Sequence, residues 1–249
     1  MLKTKRLDQI KEYVFKHKNV SLDELVEVFN VSKNTIRRDV KLLVDQGELK
    51  KVYGGVSVNH STLVSFNDRK VRNQSEKQKI AKLASQYVVD GDILFIDSGT
   101  TTFEMLEYIK EKNITVVTNN VDFIVEAMPY DNLNVYSTGG MLERNTNSFV
   151  SYKGLDIFNT YNINKAFMAS TGISISNGVT NSSPLESEIK RSAVKKCPQV
   201  FLLVDHQKFD QYALTTYCEL ADIDYLVTDK NPNVQYQEYF KENDIKLIY

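Results

Sequence analysis

Apolar positions recur at helical spacing in two consecutive stretches at the start of the chain. The first stretch predicts a helix over about Lys3–His17, with an apolar face that consists of Leu7, Ile10 and Val14. The second stretch begins after Ser21, whose hydroxyl can cap a helix, and Glu24 three residues later completes a capping-box pattern. The pattern therefore predicts a pair of amphipathic helices at the N-terminus.

A third helix is predicted over Lys33–Gln46, after a capping Ser32 and before a terminating Gly47. Its apolar seam consists of Ile36, Val40 and Leu43. Beyond it, two short β-rich runs, Leu49–Val52 and Val56–Val58, flank a Tyr-Gly-Gly turn and predict a hairpin.

Three helices followed by a hairpin are the elements of a winged helix-turn-helix domain, in which the third helix enters the major groove. We expect this domain over residues 1–58, with the helix-turn-helix at about 20–39. Residues 1–58 hold 12 Lys and Arg against 8 Asp and Glu, a net charge of +4, whereas the remainder carries −5. A basic head on an acidic body fits a DNA-binding domain joined to a domain of another function.

The polar face of the third predicted helix carries side chains that can bind DNA. The candidates are Asn34, Arg37, Arg38 and Lys41 on the helix, and Lys51 and Tyr53 in the wing. Arg, Lys and Asn can hydrogen-bond to base edges and phosphates. A basic helix face can also be an ordinary solvated surface, but the capped turn and the basic wing beside it favour DNA binding.

Residues 59–74 are polar with weak periodicity and are predicted to be a linker. Ser75 and Gln78 then form a second capping-box pattern at the start of an amphipathic helix.

From Gly91 onward, short β-rich runs alternate with helical patterns. The predicted strands are Ile93–Ile96, Ile114–Val117, Asn134–Tyr136, Ala166–Met168, Val200–Val204, Tyr225–Val227 and Lys246–Ile248. The predicted helices are Thr101–Glu111, Val121–Met128, Lys153–Tyr161, Leu185–Lys196 and Val234–Asn243. Residues 75–249 are therefore expected to form an α/β domain with a mostly parallel sheet and helices on both faces.

Small, hydroxyl and amide side chains follow most of the predicted strands. The segments are Asp97-Ser98-Gly99-Thr100-Thr101-Thr102, Thr118-Asn119-Asn120, Thr138-Gly139-Gly140, Ser170-Thr171-Gly172, Asp205-His206 and Thr228-Asp229. Open parallel sheets bind ligands at the carboxyl ends of their strands. Segment 97–102 opens a predicted helix, so its amides and hydroxyls favour a phosphate, although the same residues could serve as plain helix caps.

The sequence lacks the residues that a membrane span, a signal peptide, a metal site or a nucleotide-binding loop would need. No apolar run approaches the roughly 20 residues of a membrane span, and the first residues lack a signal-peptide pattern. His206 has no partner at metal-ligand spacing, and neither GxGxxG nor GxxxxGK[ST] occurs. Cys197 and Cys218 lie far apart and suit a reducing compartment. We therefore expect a cytoplasmic protein that uses no metal or cofactor.

The segment VSKNTIRRDVKLL, followed by GELKKVYGG, is similar to the N-terminal signature of the DeoR family of bacterial transcription regulators. The resemblance implies that TIRRD lies on the recognition helix. It also implies DNA contacts by Ser32, Lys33, Asn34, Thr35, Arg37 and Arg38. Asp39 is expected to orient an arginine instead, because a carboxylate would repel phosphate. Tyr53 departs from the family pattern, which commonly has His at this position.

Five later segments, in order, resemble the C-terminal sensor domain of the same family: EKQKIAKLASQYVVDGDILFIDSGTTT, TVVTNN, STGG, KAFMASTGIS and LLVDHQKFD. That domain is similar to the sugar-phosphate isomerase fold, and in the family it binds phosphorylated sugars or related metabolites. The resemblance implies a phosphate site formed by Asp97, Ser98, Gly99, Thr100, Thr101 and Thr102. It implies that the binding site for the sugar is lined by Asn119, Gly139, Gly140, Lys190, Asp205 and Lys208.

The expected function is that of a transcription regulator, most often a repressor in this family. It would bind double-stranded operator DNA as a homo-oligomer, a dimer or tetramer, and release it when a phosphorylated sugar binds. An activator is one alternative, because the sign depends on the position of the operator. The other is a sugar-phosphate isomerase that uses Glu186 or Glu188 with Lys190. The isomerases carry an acidic cluster where this chain has Ala169-Ser170-Thr171-Gly172-Ile173, so no enzymatic activity is expected.

Overall fold

The computed structural model describes residues 3–17, 19–45, 49–58, 66–151 and 157–249. The chain divides into two compact units, residues 1–64 and 65–249. Each unit has its own hydrophobic core. Within the described ranges, the helices are too short or too polar to span a membrane.

The first unit contains three helices at the positions that the apolar spacing predicts. They are α1 (Lys3–His17), α2 (Leu22–Phe29) and α3 (Lys33–Asp45). Ser21 caps α2 as expected, because its Oγ accepts from the Glu24 amide at 3.0 Å. The Glu24 carboxylate accepts from the Tyr13 hydroxyl of α1, also at 3.0 Å, so it joins α2 to α1. The predicted end of the third helix at Gln46-Gly47 lies outside the described residues.

The predicted hairpin is present as β2 (Leu49–Val52) and β3 (Gly55–Val58), which pair antiparallel. A short strand that the sequence pattern does not predict, β1 (Asn19–Ser21), pairs with the other edge of β3. The amide of Leu22 donates to the carbonyl of Gly54 at 3.2 Å. The wing is therefore fixed to the beginning of α2.

One apolar core joins the three helices to the wing. Its buried members are Ile10, Val14, Val20, Leu25, Ile36, Val40, Leu43, Leu49 and Val56. The predicted seam of α3 thus faces inward, which leaves the polar side of that helix toward solvent.

The second unit is built on a seven-stranded sheet in which the neighbouring strands are all parallel. In spatial order the strands are β15 (Lys246–Ile248), β14 (Tyr225–Val227), β12 (Val200–Leu203), β9 (Lys165–Ala169), β4 (Ile93–Ile96), β5 (Ile114–Thr118) and β6 (Leu133–Ser137). Each overlaps a predicted strand. The chain runs outward from β4 through β5 to β6 and then returns to β9 on the other side of β4, so the strand order reverses between β4 and β9.

Helices cover both faces of this sheet. They are α5 (Gln74–Ser85), α6 (Thr100–Phe103), α7 (Leu106–Ile109), α8 (Val121–Ala127), α9 (Ile157–Thr160), α10 (Pro184–Lys196) and α11 (Val234–Glu242). Alternate residues of β4 enter two different apolar clusters: Phe95 lies in one, whereas Leu94 and Ile96 lie in the other. The expected α/β architecture is therefore confirmed. Residues 153–156 of the predicted helix Lys153–Tyr161 lie outside the described chain.

The predicted helix Thr101–Glu111 is wrong as a single element, because it forms the two short helices α6 and α7. Three consecutive threonines have stiff side chains that favour helices weakly. The Thr102 hydroxyl also bonds back to the carbonyls of Asp97 and Gly99, at 2.7 and 2.9 Å. Such local bonds compete with a continuous helix.

The predicted linker also needs correction, because its second part forms α4 (Phe66–Val71). Residues 59–65 of that linker lie outside the described chain. Helix α5 begins at Gln74, after Asn73 with φ +48°, rather than at Ser75. The Ser75 hydroxyl donates to the Glu76 carboxylate at 2.8 Å. A six-residue helix with one fully buried anchor, Phe66, has too little periodicity to be recognised from sequence.

Two small antiparallel sheets were not predicted. The first is the hairpin of β7 (Met141–Glu143) and β8 (Ser148–Val150). The second contains β10 (Gly172–Ser174), β11 (Gly178–Asn181) and β13 (Thr215–Cys218). Both follow the carboxyl ends of strands of the main sheet, and they bring Ser148 and Asn181 to that edge.

Candidate functional site

Helix α3, the predicted recognition helix, starts with a capped turn. Ser32 Oγ accepts from the Thr35 amide at 3.2 Å and lies 2.9 Å from the Thr35 hydroxyl. Lys33 pairs with Asp23 of α2. Six of the predicted DNA contacts on and before this helix are exposed: Ser32, Lys33, Asn34, Arg37, Arg38 and Lys41. Thr35 is half-buried. The arrangement can present a basic surface to a major groove.

Asp39 lies on the opposite side of α3 from this surface. It is 2% exposed, and its Oδ2 lies 2.7 Å from Arg6 Nε of α1. The hydrogen bond that Arg6 donates to Asp39 raises the pKa of Arg6. The expected pairing of Asp39 with an arginine is present, and the partner belongs to α1 rather than to the recognition helix.

The wing carries the two other candidate DNA contacts. Lys51 is exposed on β2, and Tyr53 is fully exposed in the turn between β2 and β3. Within the described hairpin, Val56 and Ser57 are both buried, and Val56 belongs to the apolar core. The wing therefore presents a cation and an aromatic hydroxyl at its tip.

In the second unit, polar residues meet where the strand order reverses. Asp97 directly follows β4, and Ala169 is the last residue of β9. The Ala169 amide donates to Asp97 Oδ2 at 3.0 Å, which holds the two strand ends together. This is the position at which open parallel sheets bind ligands. We call the region between the ends of β4, β5 and β9 the crevice.

A buried lysine closes the inner side of the crevice. Lys190 of α10 is 3% exposed, and its Nζ donates to Asp97 Oδ2 and, at 3.0 Å, to the Ala169 carbonyl. The Tyr217 hydroxyl donates to the same carbonyl at 3.1 Å. Burial raises the pKa of Tyr217 well above its ordinary value, so Tyr217 stays protonated. Lys190 thus balances the charge of Asp97 within the fold.

A second carboxylate, Glu186 of α10, organises the floor of the crevice. Its Oε1 accepts from Ser98 at 3.1 Å and from Ser148 at 2.7 Å, and its Oε2 accepts from Asn181 at 3.1 Å. Burial alone would raise the pKa of Glu186, but the charge of Lys190 and the hydrogen bonds from Ser148 and Asn181 lower it. Glu186 therefore joins α10 to the loop after β4 and to strands β8 and β11.

The predicted phosphate loop is only partly available to a ligand. The hydroxyls of Ser98 and Thr102 are engaged within the protein, with Glu186 and with the loop backbone. Gly99 allows a close approach to β9, because a Cβ there would lie 2.2 Å from Ala169 Cβ. Thr100 and Thr101 follow in α6 and are buried. Since α6 is a single turn, a helix-dipole argument does not apply to this loop.

Four buried polar atoms at these strand ends make no hydrogen bond with the described chain. They are Asp97 Oδ1, Asn119 Oδ1, Asn120 Nδ2 and Ser170 Oγ. Asn119 uses its Nδ2 to donate to Ser98 at 3.2 Å, and Asn120 uses its Oδ1 to cap α8 at 3.1 Å. The crevice thus offers acceptors and donors side by side, at the ends of three adjacent strands.

The remaining predicted effector residues lie beyond this group on either side. Gly139 and Gly140 follow β6 with φ of 63° and 115°, and a Cβ on Gly140 would lie 2.5 Å from the Val150 carbonyl oxygen. Asp205 follows β12, and its Oδ1 accepts from the Gln207 amide at 2.9 Å. Lys208 is half-buried at the end of the same short turn. The structure therefore brings Asp97 and Asn119 together with Lys190, and places the others on neighbouring strand ends.

The sequence interpretation missed several residues of this region. They are Arg69 and Lys77 near the loop, and Asn120, Ser148 and Asn181 in the crevice. Asn120 could have been included, because it follows β5 directly beside Asn119. Arg69 lies in the segment interpreted as a linker, and Ser148 and Asn181 come from small sheets without a clear pattern.

A surface cavity of about 550 Å³ lies elsewhere on the described chain. It is lined by Arg191, Val194, Lys195, Thr216, Tyr217, Cys218, Glu219 and Asp222. It contains none of the strand-end polar groups apart from the ring of Tyr217. Burial raises the pKa of the Cys218 thiol, so this cysteine is unreactive. We therefore assign the candidate ligand site by the chemistry of the strand ends.

Two family models match the chain. The model described as the DeoR-like helix-turn-helix domain matches residues 6–62. The model described as the DeoR C terminal sensor domain matches residues 72–230. Together they cover both compact units.

Relatives with full-length similarity are named as transcription regulators. The chain is 43% identical over 248 residues to the HTH-type transcriptional regulator IolR of Bacillus subtilis (strain 168), which covers 99% of each chain. It is 28% identical over 249 residues to the glycerol-3-phosphate regulon repressor of Escherichia coli (strain K12), again with 99% of each chain. Among solved structures, ribose 5-phosphate isomerase A from Methanocaldococcus jannaschii matches with a TM-score of 0.40 and 16% identity over 55% of each chain.

Proposed function

The chain belongs to the DeoR family of transcription regulators, and we propose that it represses genes of sugar or polyol catabolism until a phosphorylated sugar binds. In this proposal residues 1–58 bind operator DNA in the cytoplasm. The crevice at the ends of β4, β5 and β9 binds the effector.

The observation that carries the ligand half of the proposal is the set of four buried polar atoms in the crevice. Asp97 Oδ1 and Asn119 Oδ1 can only accept hydrogen bonds, whereas Asn120 Nδ2 can only donate. A buried polar atom without a partner costs about 1–3 kcal/mol. Adjacent hydroxyls both donate and accept, so a polyhydroxylated ligand can satisfy the whole set. An apolar ligand would leave these atoms unsatisfied.

The phosphate is proposed on two grounds. The segment Ser98–Thr102 offers backbone amides and the hydroxyls of Thr100 and Thr101 at the end of β4. One full-length relative is named for the regulon of glycerol 3-phosphate, a phosphorylated polyol. A phosphorylated sugar or polyol would place its anionic group at this loop and its hydroxyls in the crevice.

The DNA half rests on the exposed face of α3. Arg37, Arg38 and Lys41 are exposed on a helix whose apolar seam is buried, and Lys51 extends the positive surface into the wing. A single recognition helix reads too few base pairs for a unique operator. We therefore propose that a homo-oligomer, a dimer or a tetramer, binds repeated half-sites.

Repression requires that the effector favour a state that binds DNA weakly. By linkage, DNA must then weaken effector binding by the same factor. A coupling free energy of about 1–3 kcal/mol changes DNA affinity roughly 5- to 150-fold. Activation of transcription would use the same residues. The position of the operator relative to the promoter decides between repression and activation.

A catalytic role for Glu188 and Lys190 is disfavoured by their contacts. Glu188 lies at the surface of α10 and pairs with Arg191, whereas the ammonium of Lys190 is engaged with Asp97 and the Ala169 carbonyl. The turn after β9 supplies no carboxylate. The matched family consists of regulators, and the chain is not an enzyme.

The proposal is tested with the full-length protein and an operator selected from random duplex DNA. Phosphorylated sugars and polyols, each with its unphosphorylated counterpart, are screened by thermal shift and by release of labelled operator. We expect one phosphorylated compound to raise the melting temperature and release DNA, since a ligand at 100 times its Kd stabilises by about 2.7 kcal/mol. If specific operator binding is present but no compound in the panel affects either readout, the effector half of the proposal is wrong.

A substitution separates the two halves. Thr100→Val removes a hydroxyl next to Gly99. It should lower the affinity for the phosphorylated compound and leave the affinity for the operator unchanged. An unchanged ligand affinity would mean that this loop only caps α6. Lys241→Ala, an exposed charge on α11, serves as the control and should change neither affinity.

A further inference from the structure

Helix α4 lies between the two segments that the family models match. It belongs to the second compact unit, and among its six residues Phe66 is the one fully buried side chain, whereas Val71 is 71% exposed. A helix of this length has little stability of its own, so contacts with its surroundings hold it in place. Those contacts lead to two segments of the candidate ligand site and to one lysine of α5.

The first contact of α4 is with the short helix that follows β4. The ring of Phe66 meets the ring of Phe103 edge-on at 6.2 Å between centroids, and Lys70 Nζ lies 4.1 Å from the centroid of the same Phe103 ring. Phe103 is the last residue of α6, which begins at Thr100, and its amide donates to the Gly99 carbonyl at 3.0 Å. A shift of the loop after β4 would therefore move the ring on which α4 rests.

The second contact of α4 is with the hairpin of β7 and β8. The amide of Phe66 donates to the carbonyl of Asn145, in the turn of this hairpin, at 2.8 Å. Further along the hairpin, the amide of Phe149 donates to the carbonyl of Asn119 at 2.8 Å. Asn119 directly follows β5 and has a buried side-chain oxygen in the crevice. The hairpin therefore joins the beginning of α4 to the crevice end of β5.

The third contact fixes the other end of α4. Lys77 of α5 is 4% exposed, and its Nζ donates to the carbonyl of Arg69 and, at 2.6 Å, to the carbonyl of Arg72. If α4 moved away from α5, this ammonium would lose both acceptors in a buried position, which is unfavourable. The three contacts are therefore made or lost together, and α4 has two arrangements, which we call docked and undocked.

We propose that α4 couples the crevice to the DNA-binding unit, because it is docked when an effector occupies the crevice and undocked when operator is bound. The inference rests on the proposed function and names the element that carries its regulation. A ligand in the crevice orders the ends of β4 and β5, from which both supports of Phe66 come, and so favours docked α4. By linkage, operator must then favour the undocked arrangement. Helix α4 is suited to this role because it is the first described helix after the wing.

The test uses the full-length protein, with the operator duplex selected from random DNA as the probe. Hydrogen exchange is followed by mass spectrometry in residues 66–73, 98–103 and 141–150, with and without bound operator. We expect operator to make opening of residues 66–73 at least about 5-fold more frequent, which is the lower end of ordinary coupling between sites. Exchange in residues 98–103 should rise as well, because α6 loses the helix that packs on it. Unchanged exchange in residues 66–73 when operator is bound would overturn the inference.

Substitutions within α4 show whether the signal passes through this helix. Phe66→Leu removes the edge-on ring contact, so residues 66–73 should exchange faster without operator, and operator should no longer alter residues 98–103. Its operator affinity should equal or exceed that of the wild type, since the undocked arrangement is the one that binds DNA. The control Val71→Thr changes an exposed side chain of the same helix and should behave like the wild type.

Two further outcomes complete this comparison. If operator alters residues 98–103 in Phe66→Leu as it does in the wild type, the signal does not pass through α4 and the inference is wrong. Circular dichroism shows whether Phe66→Leu is folded. If it is not, Lys70→Gln takes its place, because it removes only the cation above Phe103 and should give the same change at smaller amplitude.

Release of operator by the panel of phosphorylated sugars and polyols separates this inference from the proposed function. A compound that releases operator from the wild type should need about 5- to 10-fold higher concentration with Phe66→Leu, because the docked arrangement is less populated. Release at equal concentration would mean that the function stands and the role of α4 is wrong. If no compound releases operator although operator alters residues 98–103 through α4, the coupling stands and the proposed effector class is wrong.

Discussion

Arg6 Nε donates to Asp39 Oδ2 across 2.7 Å and thereby joins α1 to the recognition helix. Asp39 stands between Arg38 and Lys41 in the sequence of a basic helix, yet its carboxylate faces inward and is 2% exposed. The arrangement removes a negative charge from the surface that would face phosphates. It also fixes the rotation of α3 about its axis, which determines where Arg37 and Arg38 point.

Replacement of this carboxylate should weaken the first unit without removing a DNA contact. We expect Asp39→Asn to lower the free energy of unfolding by about 1–3 kcal/mol, because a charged hydrogen bond is lost in a buried position. Urea unfolding followed by circular dichroism measures the change. Arg6→Gln should also lower the free energy of unfolding, and the double variant should lose less stability than the sum of the two single losses. Additive losses would mean that the pair does not interact energetically.

The DNA-binding unit could be predicted almost completely, because its elements follow from local patterns. The seams of α1 and α3, the cap at Ser21 and the wing strands are all legible in contiguous stretches. Strand β1 could not be predicted, since three residues have no periodicity and their partners in β3 lie 34 to 38 residues later in the chain. The partner of Asp39 likewise depends on how α1 packs across α3.

The candidate ligand site could be predicted only along the main sheet. Asp97 and Asn119 follow β4 and β5 directly, so the parallel topology brings them to one edge. In the sequence, nothing distinguishes Glu186 from the other acidic residue of its helix. The contacts that bury it come from Ser148 and Asn181, which lie in small sheets. Helix α4 could not be recognised from the sequence, because it packs through the aromatic contact of Phe66 and has no repeated apolar pattern.

The exposed arginines of α3 should determine operator binding. Arg37→Ala or Arg38→Ala is expected to abolish specific binding, measured by gel shift against selected and scrambled duplexes. If the lost contact is to a phosphate, the salt dependence of binding should fall by about one unit of slope. Lys241→Ala, which removes an exposed charge in the second unit, should bind like the wild type. A ligand-induced thermal shift that survives in the arginine variants would show that the sensor unit is intact.

Glu186 should make the stability of the second unit dependent on pH. Its pKa is lowered in the folded protein, so its stabilising contribution is present above the unfolded pKa of about 4.3 and is lost as the pH falls through the folded value. We expect Glu186→Gln to reduce the free energy of unfolding by about 2–4 kcal/mol at pH 7, because it breaks a buried charged network. The difference from the wild type should shrink below about pH 4.

A neighbouring acid provides the control for this change. Glu188 lies on the same helix, its side chain is 42% exposed, and it pairs with Arg191. Glu188→Gln should alter the free energy of unfolding by less than about 1 kcal/mol at any pH, since exposed ion pairs contribute little. A Glu186→Gln difference that is constant from pH 7 to pH 4 would contradict the charged role of Glu186.

The contact between Gly99 and Ala169 predicts a rescue. Gly99 has φ −77° and ψ 152°, which any residue can adopt, so only the space around it forbids a side chain. A Cβ there would lie 2.2 Å from Ala169 Cβ, and we expect Gly99→Ala to destabilise the second unit by about 1–3 kcal/mol through overpacking. The shift of the loop should also lower the affinity for any ligand that binds at the end of β4.

Ala169→Gly removes the opposing methyl group, so the double variant Gly99→Ala with Ala169→Gly should recover most of the stability and of the ligand affinity. Urea unfolding and the ligand-induced thermal shift measure the two recoveries. Stability without recovered affinity would mean that the loop needs glycine at position 99 for the ligand itself, rather than for its packing on β9.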